Sequence, residues 1–78
     1  MNDIVNGHRV VATFTTGAGL GQRAGRLILV DRGDSSDMRW VSSWQGQGDD
    51  GWDQGHYFSD FAEARDHFLS ACSRRSRL

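Results

Sequence analysis

The segment from Asp60 to Cys72 constrains the fold most, because its apolar spacing fits one regular structure only. Phe61, Ala64, Phe68, Ala71 and Cys72 fall at i, i+3, i+7, i+10 and i+11, one stripe of an α-helix. Capping chemistry sets its start near Ser59 or Asp60. With Asp60 as N-cap, Glu63 stands at N3 and completes an Asp-x-x-Glu arrangement. Asp60, Glu63 and Asp66 load the first part with negative charge, and Arg74, Arg75 and Arg77 load the end with positive charge. Both distributions favour the helix dipole. A single amphipathic helix has to bury its stripe against what precedes it.

What precedes it reads as strands and turns. His8 to Thr16 is rich in β-branched residues and partly alternates, with Val10, Ala12 and Phe14 expected on one face and Val11, Thr13 and Thr15 on the other. Arg26 to Asp31 is a continuous apolar run, the pattern of a strand buried on both faces. Arg32 to Asp37 is turn chemistry, since Gly33 tolerates positive φ and the Asp and Ser side chains bond their own backbone. Met38 to Trp44 predicts a third strand with Met38, Trp40, Ser42 and Trp44 on one face, and Gly55 to Phe58 a short fourth. The connections are short, which favours antiparallel neighbours. The expectation is an α+β domain: a three- to four-stranded antiparallel meander followed by one C-terminal helix packed on a face.

Seventy-eight residues hold one domain, 1–78, with a modest core that a homodimer burying a sheet face or edge would extend. A composition of 37% hydrophobic and 24% charged residues is that of a globular chain. Cys72 is the single cysteine, so no intrachain disulfide forms, and a reducing cytoplasm is the expected setting. No run of about 18 apolar residues exists, and the first residues lack a basic region followed by an apolar stretch.

Chemistry-bearing motifs are sparse. The glycine-rich stretch 17–25, with Arg23 and Arg26 beside it, reads as a flexible hairpin loop or an anion cradle. It is followed by a strand, which removes the dinucleotide fingerprint, and it lacks the Gly-Lys-Ser/Thr of a P-loop. Asp49, Asp50, Asp53 and His56 lie close in sequence, but their spacing fits neither a calcium loop nor a zinc site, so no metal or cofactor is expected. Cys72 falls on the helix's apolar stripe, His67 lies off it, and the serine pairs 35–36 and 42–43 lack a nucleophile-elbow pattern. No catalytic residues are assigned. Trp40, Trp44, Tyr57 and Phe58 with Arg39 suggest either core or a stacking platform for single-stranded nucleic acid.

Charge decides among the binding readings. Residues 31–66 carry nine acids against three arginines, a net −6, while the last twelve residues carry +3. A phosphate-binding surface wants clustered cations, so this middle section argues against direct nucleic-acid binding. It favours an acidic, Trp-bearing surface that docks on a basic protein partner, with Asp34, Asp37, Asp49, Asp50, Trp52 and Asp53 as the candidate contact residues. Trp52 would be the anchor and the carboxylates would steer encounter. In small size, sparse core and lack of a catalytic motif, the chain resembles the accessory proteins of phages and other mobile elements, anti-CRISPR proteins among them. The resemblance lies in general character across the whole chain, and no residue is carried over from it. It implies a non-enzymatic inhibitor or adaptor whose partner handles nucleic acid, a CRISPR-Cas-like complex being one such target. The alternatives are a small nucleic-acid-binding module using the sheet aromatics with Arg9, Arg23, Arg26 and the tail, and a self-assembling structural protein.

Overall fold

In the computed structural model, which describes residues 3–16 and 24–76, five antiparallel strands form one sheet in sequence order. They are β1 (Ile4–Val5), β2 (His8–Thr16), β3 (Gly25–Asp31), β4 (Trp40–Gly46) and β5 (Asp53–Phe58), and the helix α1 (Phe61–Ser76) follows. The meander with one C-terminal helix is as expected, and the Gly55–Phe58 segment is part of the sheet. The sheet is one strand wider than expected, however. Asn6 and Gly7 take φ values of 53° and 78°, the left-handed pair that a tight two-residue hairpin requires, and they fold β1 back on β2. The seven-residue stretch 17–23, which holds most of the glycine-rich segment, lies outside the described residues.

β3 carries a core on each of its faces. Leu27 and Leu29 point towards α1 and join Ala64, Phe68 and Ala71. Ile28 and Val30 point the other way and join Val5, Val10 and Val41. Ile28, Val30 and Val41 are completely buried. β2 matches this two-sided strand through a β-bulge at Val11. Val10 pairs with Val30, while Ala12 pairs with Leu29, so one residue is skipped. That skip overturns the expected alternation. Val10 belongs to the face away from the helix, and Ala12 and Phe14 to the helix face. A period of two cannot register an inserted residue, so the sequence pattern alone had put all three together.

On β4, Trp40 and Trp44 face the helix-side cluster as expected, with Phe58 beside them from β5. Met38 precedes the strand and is exposed. Trp44 lies across Gly25. A Cβ at that position would come within 2.5 Å of both the Trp44 ring and the Gln45 carbonyl oxygen, so only glycine fits.

The helix is capped as the sequence indicates. The Glu63 amide donates to Asp60 Oδ2 at 3.1 Å, and the Ala64 amide donates to the Asp60 carbonyl at 3.2 Å. Ala64 and Ala71 are small enough to bring α1 close to β3 and β4, and Phe68 fills the space between them. Cys72 is half-buried at the margin of this cluster, and burial pushes its thiol pKa up. Phe61 sits at the rim and meets Trp40 edge-on at 4.8 Å.

Ion pairs tie the periphery to the sheet. Arg26 binds the Asp3 carboxylate with two nitrogens and Gln45 Oε1 with its Nε, linking the N-terminal segment to β3 and β4. Among the described residues no helix is long and apolar enough to cross a membrane.

Phe68→Ala should cost about 3–5 kcal/mol, as large-to-small core changes do. That is comparable to the whole stability of a domain this size. Leu69→Ala, one position along at 55% exposure, should change the melting temperature little. Circular-dichroism melts of the two variants check the assigned helix face.

Candidate functional site

The six candidate contact residues do not form one patch. Asp34 and Asp37 lie in the β3–β4 turn, whereas Asp49 and Asp50 lie in the β4–β5 loop. The seven-residue β4 stands between them, a span of about 20 Å at strand rise. Asp53 opens β5 and pairs with Trp44 in the register. At the β3–β4 end the acids are engaged within the fold. Arg39 grips both oxygens of Asp31, at 2.7 and 3.0 Å, and also binds Asp34. The Gly33 amide donates to Asp31 as well. Chiefly because of the Arg39 hydrogen bonds, the Asp31 carboxyl is held below the usual carboxylate range. Asp37 is exposed in the same turn.

The β4–β5 loop is acidic and braced. Asp49 and Asp50 are both exposed. The Asp49 amide donates to the Gly46 carbonyl at 3.0 Å, and Gln45 Nε2 donates to the Asp49 carbonyl at 2.9 Å. The Gln47 amide donates to the Ala24 carbonyl at 3.0 Å. Gly51 lies against the Asn6 side chain, where a Cβ would sit 2.6 Å from Asn6 Oδ1.

Trp52 fixes the far end of this loop. It is half-buried, packs on the core face away from the helix and donates from Nε1 to the Tyr57 hydroxyl at 3.2 Å. Its ring lies 6.2 Å from that of His8, and Gly55 gives it room, since a Cβ there would stand 3.0 Å from Nε1. The indole is thus a clamp that closes the sheet's second face and orients the acidic loop.

A second constellation lies on the helix side, and sequence reading had treated its members separately. A cleft of about 310 Å³ opens between β4, β5 and the C-terminal half of α1, with Gln54, His56, His67, Arg74 and Arg75 on its walls. The His56 and His67 rings lie against each other, tilted by 36°, with centroids 4.3 Å apart, and the Phe58 ring stands 5.5 Å from His67. Ser42 Oγ meets His67 Nδ1 at 2.9 Å. Arg75 lies over the Trp44 ring at 4.2 Å. Ser42 is 1% exposed, so its hydroxyl serves His67 and not solvent. One signal pointed here. Ser42 shares a face with Trp40 and Trp44, and a hydroxyl on an apolar face requires a partner. Which residue supplies it depends on how α1 crosses the sheet.

Among the described residues no three His, Cys, Asp or Glu side chains converge as metal ligands. The aromatics Trp40, Trp44 and Phe58 pack towards the helix, and Tyr57 is exposed with Arg32 stacked on it at 5.1 Å. Arg26, a candidate for anion binding in the sequence, is engaged by Asp3 and Gln45. No family model, curated protein or solved structure matches the chain.

His67 gives the fold a pH dependence. Burial first, then the nearby charges of His56 and Arg74, hold its pKa below the ordinary 6.5. The unfolded chain therefore binds the proton more readily than the folded one, and stability must fall as pH drops from about 6.5 through the lowered folded value. Asp3 and Asp31 also have lowered pKa values, but their contribution is lost only below 3.8. Denaturant unfolding across mildly acidic pH should show the decline, and His67→Gln should flatten it in that window.

Proposed function

We propose that the protein is a non-enzymatic binding protein, an inhibitor or adaptor, that engages a basic protein surface through the Asp49–Asp50 loop. The observation that carries this reading is the bracing of that loop. Backbone and side-chain hydrogen bonds hold its conformation, and the Trp52 clamp and the Gly51–Asn6 contact anchor its far end. A carboxylate pair presented on ordered backbone loses little conformational entropy when it docks. Exposed carboxylates also accelerate encounter with a basic partner and raise its salt sensitivity. In this reading Trp52 positions the loop and the carboxylates make the contact. Asp34 and Asp37 form a separate acidic point at the other end of β4, reached only by a partner that spans the sheet.

The partner chemistry follows from the charge. Asp carboxylates replace phosphates against Arg and Lys, so the natural target is a protein surface built to handle nucleic acid. The general likeness to small phage and mobile-element accessory proteins points to the same class, CRISPR-Cas-like complexes included. The two most reactive-looking groups fit a binding role better than catalysis: Ser42 is enclosed, and the Cys72 pKa is raised, which disfavours the thiolate.

The test is capture of a partner from a bacterial lysate on the immobilised full chain, with and without nuclease, beside the double variant D49N/D50N. A nuclease-resistant partner should bind the parent, weaken with added salt and bind the variant about tenfold less, the equivalent of about 1.4 kcal/mol. The variant should melt like the parent. Capture that disappears with nuclease, or that survives both substitutions unchanged, would refute the reading.

A further inference from the structure

The helix-side cleft collects positive and hydrogen-bond-donating groups from two elements, and the loop reading makes no use of them. α1 brings His67, Arg74 and Arg75, and β5 brings His56 and Gln54. β5 carries a bulge beside this cleft. Ser42 pairs with His56, but Trp44 pairs with Asp53, so Gln54 and Gly55 together stand opposite Ser43 and β5 holds one extra residue. Gln54 has φ of 22°, an unfavourable value for a residue with a side chain, and it lines the cleft.

Two of these groups are positioned by neighbours within the fold. Arg75 lies over the Trp44 ring at 4.2 Å, a cation–π contact that seats the guanidinium on the wall of the cleft. Ser42 holds His67 through Nδ1, leaving Nε2 as the ring nitrogen for a ligand. A hydroxyl both donates and accepts, so this contact survives whether His67 is neutral or protonated. The adjacent imidazoles and Arg74 are mutually unfavourable as cations, and this repulsion adds to burial in holding the His67 pKa down. A bound anion reverses the sign of the local field.

We propose that the cleft between β4, β5 and the C-terminal half of α1 binds a phosphate monoester, held by Arg74, Arg75, His56 and His67 with Gln54 as a further donor. The donors converge on one cavity and do not follow a track, which suits a terminal phosphate better than the diester backbone of a polymer. A dianion also rewards protonation of the imidazole pair, which a carboxylate does less well. The site is separate from the Asp49–Asp50 loop, so D49N/D50N should leave it intact.

The test uses the full chain and inorganic phosphate, titrated at constant ionic strength with chloride as the balancing anion. Imidazole NMR signals of His56 and His67 report on the site, and His8, whose ring lies 6.2 Å from that of Trp52 away from the cleft, is the internal control. Saturable shifts at His56 and His67 with His8 unmoved are expected, with the apparent pKa of His67 rising. R74Q/R75Q should weaken binding at least about tenfold through loss of charge-assisted hydrogen bonds. H56Q, at an exposed ring, should weaken it with the core undisturbed. Shifts that are absent, unsaturable or equal at all three histidines would overturn the proposal.

A trinucleotide with a 5′-phosphate, compared with its 5′-hydroxyl form, separates the sources of the phosphate. Tighter binding of the phosphorylated form than of inorganic phosphate would support the site and identify a nucleic-acid end. Equal binding of that form and inorganic phosphate would support a small phosphorylated ligand. Equal binding of the two trinucleotides would overturn monoester recognition.

Discussion

The two-sided burial of β3 is the constraint on which the structure depends. Leu27 and Leu29 can leave water only if something covers one face, and Ile28 and Val30 only if something covers the other. A single helix covers one. The second is closed by short-range devices: the Asn6–Gly7 turn that delivers Val5, the Val11 bulge that keeps Val10 on that side, and Trp52 folded over Gly55. A domain of this size has little stability to spare, so each of these small devices supports the fold as a whole.

The same economy governs the charges. A net −6 over residues 31–66 suggests a uniformly acidic middle, but the fold distributes those acids among different tasks. Asp31 and Asp34 are bound by Arg39, Asp60 caps the helix, and Asp66 pairs with Arg65. The charge count over 31–66 therefore overstates a uniform acidic surface, because several of these acids serve contacts within the fold. Asp49 and Asp50 stand exposed in a β4–β5 loop braced by hydrogen bonds and by Trp52.

Both proposed sites grow from the end of the sheet where β4 passes into β5. Gly46 turns into the acidic loop on one side of Trp52, and the β5 bulge carries Gln54 to the cleft on the other. Trp44 and Trp52 divide the work. Trp44 faces the helix and seats Arg75, whereas Trp52 faces away and seats the loop. Gln54 and His56 of the cleft thus follow the acidic loop within a few residues, whereas His67, Arg74 and Arg75 reach the cleft from α1.

Local chemistry made much of this legible from the sequence. The Asp60 cap, the stripe through Ala64, Phe68 and Ala71, the two-faced run of β3 and the shared face of Trp40 and Trp44 all follow from neighbours within a few residues, where periodicity and capping act. Tertiary structure decided the rest. The bulge at Val11 exists because β2 must match β3 on both faces, which alternation within β2 cannot reveal. The split of Asp34 and Asp37 from Asp49 and Asp50 follows from the length and direction of β4. The inward turn of Trp52 depends on a vacancy at Gly55 and a hydroxyl on Tyr57. The meeting of Ser42, His56 and His67 depends on how α1 crosses the sheet. Hydrogen bonding and apolar periodicity over one or two turns are written in sequence order. Contacts between residues dozens of positions apart become definite only when the packed core fixes the distance between their backbones.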